Sequence, residues 1–361
     1  MMSIQAIVVL ISLLVGITLV LIFSDILFGC DQQILLVINK EKEFPASCGG
    51  TLLDALSENK IFIPSACGGK GTCGHCKVKV ESGGGETLLT EENFLSRQEK
   101  NEGVRLACQV KVREEAIDIS MSEDLLGAKE YNTEVVALED LNYDTKFLKL
   151  KLLSPKNIDF KPGQYVQILV PGYEEFRAYS IASPPSQKDV LDFVIRHIPK
   201  GLCTTYIHKA LRIGDVIKIT GPYGDFFLQE HTDKDIVCLA RSTGIAPIRS
   251  IVMHLKEQGM PRDAHGYFSG RTKQDILLDA EMKELEAKHP NFKYYIVLSR
   301  PAPDDNWEGE TGYITDTVPK YEESLENKEF YLCGPPEMID AAMETLKNNG
   351  VSEEQIFFDK F

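Results

Sequence analysis

The chain begins with a long apolar segment. Between Ile4 and Phe23 almost every side chain is apolar, and a helix of this length spans roughly 30 Å, the thickness of a bilayer core. A cleaved signal peptide begins with positive charge, but no Lys or Arg precedes Lys40. The pattern therefore predicts an uncleaved transmembrane helix within an anchor of residues 1–29.

The basic residues all follow this segment, beginning with Lys40 and Lys42. Lys and Arg are enriched on the cytoplasmic side of membrane segments. We therefore expect a single-pass protein of the inner (cytoplasmic) membrane with its soluble domains on the cytoplasmic side. The segment Leu27-Phe28-Gly29-Cys30 leaves a lipoprotein cleavage site open as an alternative, although Phe28 is bulky for one.

Residues 30–127 mix short strands with one short helix. Ile34 to Asn39 and Lys77 to Glu81 have strand patterns, and the triplet Gly83 to Gly85 ends the second. Thr51 to Asn59 has a helical pattern with Thr51 as a possible N-cap. This order predicts a small α+β domain.

Residues 128–228 contain short strands at close spacing with turn signals between them. This pattern of short strands and turns predicts an antiparallel β-barrel. The predicted strands are Asn132 to Ala137, Thr145 to Leu152, Tyr165 to Val170, Val190 to Arg196 and Val216 to Thr220.

Residues 229–361 alternate apolar strands with amphipathic helices, which predicts a parallel, doubly wound α/β domain of the Rossmann-like type. The predicted strands are Ile236 to Ala240, Ala264 to Ser269, Tyr294 to Leu298 and Glu329 to Cys333. The predicted helices are Ile248 to Gln258, Asp279 to Lys288 and Pro336 to Asn349. The chain as a whole is therefore multidomain.

Charge and cysteine content restrict the function. The 361 residues carry a net charge of −15, the wrong sign for a nucleic-acid-binding surface, so we expect no nucleic-acid partner. The cysteines outside one cluster are widely scattered, with no disulfide-like framework, which favours a reducing compartment.

Four cysteines have the spacing of a ligand set. Cys67, Cys73 and Cys76 lie in one glycine-rich loop, and Cys108 follows after 31 intervening residues. Thiolates bind zinc, Cu(I) and iron-sulfur clusters. Structural zinc sites usually combine two Cys-x2-Cys pairs, and this chain has only one, so the spacing favours a 2Fe-2S cluster over zinc. We expect His75 to be a surface group or a neighbour of the ligands.

The cysteine loop resembles those of the ferredoxins. The plant-type pattern has four residues between its first two cysteines, whereas Gly68 to Thr72 supplies five, which is similar to the adrenodoxin-like and membrane-reductase branches. The resemblance implies a β-grasp ferredoxin domain over residues 30–127.

The two following domains resemble the ferredoxin-NADP reductase superfamily, above all at Arg177-Ala-Tyr-Ser180. The resemblance implies that the Arg holds the flavin pyrophosphate, the Tyr covers the isoalloxazine, and the Ser lies near the reactive flavin nitrogen, each role suiting its side chain. Gly201-Leu-Cys-Thr204 is similar to the segment whose amides receive the diphosphate at a helix start. The FAD residues implied are Tyr165, Arg177, Tyr179, Ser180, Gly201 and Thr204.

The same resemblance assigns nicotinamide residues. Ser242-Thr-Gly-Ile-Ala-Pro247 connects a strand to a helix, where a dinucleotide can approach the backbone, but it has fewer glycines than the family pattern. Cys333-Gly-Pro-Pro336 is similar to the segment whose Cys lies beside the nicotinamide, and a C-terminal aromatic, Phe361 or Phe358, stacks on the flavin. The resemblance implies Thr243, Gly244, Pro247 and Gly334 as nicotinamide-binding residues and Ser180, Cys333 and Phe361 as catalytic ones.

The choice between NADH and NADPH stays open on residues alone. Arg300 and the cations of Gly270-Arg-Thr-Lys273 suit the 2′-phosphate of NADPH, or they are solvent-facing charges. The whole-chain resemblance implies NADH.

The order of all four segments is similar to the F-subunit family of Na+-translocating NADH:quinone oxidoreductases, a match that Asp305-Asn-Trp-Glu-Gly-Glu-Thr-Gly312 strengthens. Membership implies that electrons pass from NADH through FAD and a 2Fe-2S cluster to other membrane subunits of a respiratory complex and indirectly to quinone. The stretch before Arg177 lacks a long insertion typical of that family. Two alternatives therefore remain: a reductase component that supplies an oxygenase or other redox protein, and a non-enzymatic electron relay.

Overall fold

The computed structural model describes residues 11, 13–20, 33–173, 175–322 and 324–361. Residues 13–20 form a helix, α1, whose apolar side chains are exposed, as Leu19 at 61% and Val20 at 68% illustrate. Residues 4–10, 12 and 21–23 of the expected span lie outside the described residues. Over the ranges described, no helix has the length and apolar character needed to cross a membrane.

The chain divides into two compact units, Met1–Leu126 and Gly127–Phe361. The first unit contains a five-stranded sheet in the order β2-β1-β5-β3-β4, in which β1 runs parallel to β5. Helix α2 begins after Thr51, whose side chain accepts a hydrogen bond from the Asp54 N–H, as predicted. The elements are β1 Gln33–Ile38, β2 Lys42–Ser47, α2 Leu52–Glu58, β3 Lys77–Ser82, α3 Arg97–Asn101, β4 Val104–Leu106, β5 Ala116–Ser120 and α4 Glu123–Leu126.

The second unit begins with a six-stranded antiparallel sheet in the order β10-β7-β6-β11-β8-β9. Its two outer strands approach each other, because the Ala182 N–H donates to the Asp192 carbonyl at 2.8 Å, so the sheet curves towards a barrel. The elements are β6 Lys129–Asp140, β7 Thr145–Ser154, β8 Tyr165–Leu169, β9 Phe176–Ser180, β10 Val190–Arg196, α5 Leu202–Lys209 and β11 Val216–Tyr223.

A six-stranded sheet follows in the same unit, in the order β15-β14-β13-β12-β16-β17 with all neighbours parallel. The strand order reverses between β12 and β16, which makes their carboxyl ends the topological switch point where such sheets bind ligands. The elements are β12 Asp235–Arg241, α6 Ile245–Glu257, β13 Ala264–Gly270, α7 Asp279–Lys288, β14 Phe292–Leu298, β15 Glu310–Thr311, α8 Ile314–Tyr321, β16 Lys328–Gly334, α9 Pro336–Asn348 and β17 Ile356–Lys360.

Arg249, on α6, joins the antiparallel sheet to the parallel sheet. Its guanidinium donates to the Ala182 carbonyl at 2.7 Å, to Asp192 at 3.2 Å, and to both oxygens of Glu281 on α7 at 2.7 Å. The next residue, Ser250, donates to the Ser183 carbonyl at 2.7 Å. These bonds fix α6 against the end of β9 and the middle of β10.

One cysteine outside the predicted cluster set is not a free thiol. Cys48 is disulfide-bonded, whereas the sequence indicated no disulfide-like framework. Cys203, Cys238 and Cys333 are buried free thiols, as widely spaced cysteines in hydrophobic cores commonly are.

Candidate functional site

The four predicted cluster cysteines lie in two pairs. The Sγ atoms of Cys67 and Cys73 are 3.4 Å apart. Cys76 and Cys108 are within hydrogen-bonding reach of each other, and the Ala107 N–H donates to the Cys76 carbonyl at 2.8 Å. The loop between α2 and β3 supplies three of the thiols, and the turn after β4 supplies the fourth.

Close contacts around the cysteine loop require glycine at two positions. A Cβ on Gly71 would lie 2.6 Å from Nε2 of Gln109, and one on Gly74 would lie 2.6 Å from Cδ1 of Phe94. Both glycines have positive φ, at 70° and 71°, which side-chain-bearing residues rarely adopt. These contacts hold the loop in a form that keeps its backbone amides near the sulfur atoms.

Hydrogen bonds to the thiols favour their ionised form at two positions. Burial alone would raise the pKa of Cys67, but hydrogen bonds from the backbone of Thr72 and from Cys73 lower it to about 7. The pKa of Cys108 falls to about 6 because Cys76, Gln109 and the Gly71 backbone donate to it. Cys76 and Cys73 have raised pKa values, the first chiefly through its bond to Cys108 and the second through burial.

The two thiol pairs fit the ligand set expected for a 2Fe-2S cluster, because two pairs of thiolates can each hold one iron. Among the residues that the structure describes, no group of three or more acidic, histidine or cysteine side chains forms a ready-made site for a single metal ion. His75 is exposed and lies outside the pairs.

The predicted FAD residues line β8 and β9. Strand pairing places Tyr165 opposite Ser180 and Val166 opposite Tyr179. The Arg177 guanidinium donates to Glu175 and to the Phe176 carbonyl, both at 2.7 Å. Along β9 only Ala178 is exposed and the other residues are half-buried. Because side chains alternate along a strand, Arg177 and Tyr179 lie on one face of β9 and Ser180 on the other.

The start of α5 lies beside these strands. Burial raises the pKa of the Cys203 thiol to about 11, whereas Tyr179, through a hydrogen bond, and Arg177, through its charge, act in the opposite direction. Arg177 and Tyr179 are therefore both close to the first turn of α5. Gly201 caps this helix without a side-chain hydrogen bond, so the first backbone amides of the helix suit a phosphate.

Gly201 and Thr204 shape that helix start. A Cβ on Gly201 would lie 2.6 Å from Oγ1 of Thr204 and 3.0 Å from the Ile198 carbonyl. The Ile198 N–H donates to the same Thr204 oxygen at 3.2 Å. The Thr204 side chain thus closes the loop before α5, so its hydroxyl is engaged within the protein.

The predicted nicotinamide residues meet at the switch point of the parallel sheet. A Cβ on Gly244 would lie only 2.1 Å from the Cys333 carbonyl oxygen, so the turn after β12 packs directly on the end of β16. Gly334 has a φ of 152° and packs against Arg241. Thr243 is half-buried in the same turn and Pro247 is buried in the first turn of α6.

Strand β17 adds a residue that the sequence did not predict. Asp359 pairs in register with Cys333, and burial raises the pKa of its carboxyl to about 6. Cys333 is fully buried, and burial together with Asp359 raises its pKa. In the sequence, the signal for this residue is weak: an acidic side chain directly after two phenylalanines, Phe357 and Phe358.

The two aromatic candidates for covering the flavin are Phe358, on β17, and Phe361, directly after β17. The Phe361 N–H donates to the Gly334 carbonyl at 3.2 Å, which brings the last residue to the nicotinamide residues. Phe361 is 53% exposed and Phe358 is 44% exposed, and the Phe358 ring lies 5.1 Å from the Lys360 ammonium. Of the two, the position of Phe361 next to Gly334 suits the predicted flavin-covering role better.

The basic residues relevant to nucleotide choice also lie together. The Arg300 N–H donates to the Arg271 carbonyl at 2.8 Å, and both residues are exposed. Lys273 donates from its ammonium to the Asp305 carbonyl at 3.3 Å. The structure thus places three cations at the carboxyl ends of β13 and β14.

Three family models match consecutive parts of the chain. The 2Fe-2S iron-sulfur cluster binding domain matches residues 36–113. The oxidoreductase FAD-binding domain matches residues 132–228, and the oxidoreductase NAD-binding domain matches residues 239–344. These three domain types agree with the cofactors expected from the sequence.

Curated relatives match almost the full length. The F subunit of the Na+-translocating NADH-quinone reductase of Neisseria gonorrhoeae is 34% identical over 396 aligned positions, which cover 97% of this chain and 96% of the relative. The F subunit from a Marinomonas species is 35% identical, with 90% of each chain covered. The first alignment is longer than the 361-residue chain, so that relative has residues without a counterpart here.

Solved structures show the same fold. The Amycolatopsis cytochrome P450 reductase GcoB has a TM-score of 0.75 and 28% identity, covering 91% of this chain and 98% of its own. A ferredoxin reductase in carbazole 1,9a-dioxygenase has a TM-score of 0.70 and 24% identity over 91% of this chain and 98% of its own.

Proposed function

The chain belongs to the F-subunit family of Na+-translocating NADH-quinone reductases, and from this premise we propose that it delivers electrons from NADH to a membrane partner. The similarity over nearly the whole of both chains carries the proposal. The chain is an NADH oxidoreductase that uses FAD and a 2Fe-2S cluster, as the three matched domains indicate. The resemblance recognised in the sequence is thereby confirmed.

We further propose how the residues share the work. When bound, FAD accepts a hydride from NADH and the cluster carries the electrons onward one at a time. Arg177 and the amides at the start of α5 would hold the flavin pyrophosphate, since both lie at one point of the barrel. Tyr165, Tyr179 and Ser180 would line the flavin along β8 and β9.

The nicotinamide would bind where the turn after β12 meets the end of β16. Thr243, Gly244 and Pro247 would present backbone and apolar surface to the dinucleotide, and Gly334 would leave room for it. Cys333 and Ser180 would flank the reacting atoms, and Phe361 would cover the flavin until the nicotinamide displaces it. The four thiols of Cys67, Cys73, Cys76 and Cys108 would bind the cluster as two pairs.

Family membership makes the chain part of a membrane-associated respiratory complex. We propose that residues 1–29 anchor it by a single span in the inner membrane, with residues 30–127, 128–228 and 229–361 forming the ferredoxin, FAD and nicotinamide domains. The apolar run from Ile4 to Phe23 and the later basic residues support this arrangement. Other membrane subunits would receive the electrons and pass them to quinone.

Anaerobic stopped-flow mixing of the purified full-length protein with NADH tests the proposal. We expect rapid bleaching of the flavin absorbance, followed by the EPR signal of a reduced 2Fe-2S cluster. Failure of both NADH and NADPH to reduce the flavin would contradict the proposal and favour the electron-relay alternative.

A second function has one observation in its favour. The Amycolatopsis P450 reductase has the same fold over 91% of this chain, and the chain is shorter than its alignment with the Neisseria relative. A reductase component for an oxygenase is therefore the alternative. Extraction of the native protein in mild detergent separates the two, because membrane subunits co-purify under the first proposal and an oxygenase under the second.

A further inference from the structure

A short network connects the cluster cysteines to the surface of the first unit. Gln109 directly follows Cys108, and its Nε2 lies 3.5 Å from the Cys108 Sγ and 3.3 Å from the Cys108 carbonyl oxygen. Its Oε1 accepts a hydrogen bond from the Thr90 hydroxyl at 2.9 Å. The amide therefore bridges a candidate iron ligand and an exposed threonine.

The surroundings determine which way the Gln109 amide points. The Cys108 carbonyl and thiolate are both acceptors, so only the NH2 end of the amide can face them favourably. The Thr90 hydroxyl then donates to the remaining oxygen. A reversed amide would set its oxygen against the two Cys108 acceptors, so the observed orientation is the one that satisfies every group.

A buried ion pair holds Thr90 in place. Glu91 and Arg105 are bonded at 2.7 Å with side-chain exposures of 0% and 6%. The Arg105 guanidinium also donates to the carbonyls of Gly84, Gly85 and Glu86 at 2.8–3.0 Å. Residues 84–91, which we call the strap, are thereby tied to β4.

The strap is also tied to the residues that lead to Cys108. Glu91 accepts hydrogen bonds from the N–H groups of Leu106 and Leu88, at 2.8 Å and 2.9 Å. The pair is therefore fully hydrogen-bonded, as a buried charge must be to be tolerated. Thr90 sits between these anchors with its hydroxyl aimed at Gln109.

We propose that Gln109 tunes the reduction potential of the cluster through its hydrogen bond to Cys108, and that Thr90 is a positioning residue that orients the amide. This inference rests on the proposed ligand set. An N–H donor to a ligand sulfur stabilises the added negative charge of the reduced cluster more than the oxidised one, so it raises the potential. The strap, anchored by Glu91 and Arg105, would hold Thr90 in the position from which it orients the amide.

The test is the midpoint potential of the cluster, measured by EPR-monitored redox titration of the full-length, cofactor-loaded protein. Gln109→Leu removes the donor at similar size, and we expect a potential more negative than that of the wild type. Gln109→Glu should shift it further in the same direction. Gln98→Glu adds the same charge on α3, where Gln98 contacts Glu102 instead of a cysteine, and should shift it less.

Thr90→Val tests the positioning role. Its matched control is Thr87→Val, the same substitution at another exposed position of the strap. We expect a negative shift for Thr90→Val alone, and no further shift when Thr90→Val is added to Gln109→Leu, because Thr90 acts through the amide. A merely structural threonine would give additive shifts or none.

Four results would overturn the inference. They are an unchanged potential in Gln109→Leu, equal shifts in Gln109→Glu and Gln98→Glu, equal potentials in Thr90→Val and Thr87→Val, and additive shifts when Thr90→Val is combined with Gln109→Leu. If Gln109→Leu does not retain the cluster, the inference is decided by comparing the potentials of Thr90→Val and Thr87→Val. Both threonines are exposed, so neither substitution disturbs the hydrophobic core. A wild-type protein without a cluster signal would contradict the proposed function instead.

Discussion

At the scale of single residues, Asp359 shows how a position can be important without a recognisable pattern. Its carboxyl lies in register with Cys333 at the predicted nicotinamide site, and burial raises its pKa to about 6. The protein therefore retains a half-buried carboxyl whose ionisation costs folding free energy. We expect such a group to affect both stability and the protonation state of the site.

Replacing Asp359 with Asn should stabilise the protein in a pH-dependent way. The folded-state pKa of about 6 lies above the ordinary value of 3.8, so ionisation of Asp359 opposes folding progressively as pH rises through this window. The variant should gain roughly 1–3 kcal/mol at pH 8 and less at pH 5.5. Thermal unfolding at both pH values measures the difference, and an equal gain at the two would contradict the pKa shift.

Arg300 offers a second test at this scale. It is exposed beside Arg271 at the carboxyl end of β14, where the 2′-phosphate of NADPH would find a cation. Arg300→Ala should lower kcat/KM for NADPH about tenfold, the value of one charge-assisted hydrogen bond, and leave that for NADH nearly unchanged. Lys293→Ala, on the same strand at its other end, is the control, and equal losses with both nucleotides would argue against this role.

The sequence predicts some of these residues better than others. The four candidate cluster cysteines are recognisable because thiolate ligands of a cluster recur at characteristic spacings. Asp359 and Gln109 are not, because their importance comes from contacts with Cys333 and Thr90 that no local pattern encodes. Long-range contacts become visible only when the strands are paired.

At the scale of elements, the turn between β12 and α6 explains how few glycines this site needs. The family pattern has more glycines than the segment from Ser242 to Pro247 contains. In the structure Ser242 takes a φ of 54°, and Gly244 alone makes the close approach to Cys333. One glycine is therefore enough for this turn to pack on β16.

Gly244→Ala should disrupt the turn. The new Cβ would lie 2.1 Å from the Cys333 carbonyl oxygen, and relieving an overlap with backbone costs about 1–3 kcal/mol or more. We expect a lower Tm and weaker NADH binding. Gly50→Ala is the control, since its Cβ would meet nothing closer than 3.7 Å. Equal Tm values in the two variants would contradict this packing.

Prediction of elements succeeded where the apolar period was strong. The predicted ends of β10 and α7 agree with the observed ends. The predicted ends of β12 and β16 each lie within one residue of those observed. β9 and β17 were not assigned as strands: β9 is largely half-buried and contains Arg177, and β17 is an edge strand with alternating exposure. Helix α8 contains Pro319, which a sequence pattern treats as a helix breaker.

At the scale of the whole molecule, the predicted cluster cysteines and the predicted nicotinamide residues belong to different compact units. We therefore expect Cys73→Ala to abolish the cluster while leaving hydride transfer from NADH to flavin nearly intact. Loss of the EPR signal with unchanged flavin bleaching in stopped flow would support this division. Loss of both activities together would show that the units depend on each other.

The order of the domains was the most predictable property of the whole chain. The hydrophobic pattern changes three times along the chain: an apolar run is followed by a mixed α+β region, then by short strands, and then by alternating strands and helices. These changes indicated the domain types, and the matched families confirm the three cofactor-binding ones. The sequence did not predict how the barrel and the parallel sheet are joined. Arg249 accounts for this through bonds to Ala182, Asp192 and Glu281, three residues far apart in the chain.

The pairing of Cys76 with Cys108 has a consequence for chain entropy. The two residues are separated by 31 others, so a cluster bound by both closes a loop and acts as a cross-link. A cross-link over a loop of this length lowers the conformational entropy of the unfolded chain and so stabilises the folded state by roughly 3–4 kcal/mol. The cluster would thus stabilise the small ferredoxin domain as well as carry electrons. When iron is scarce, a cell would therefore lose folded ferredoxin domain in addition to electron transfer.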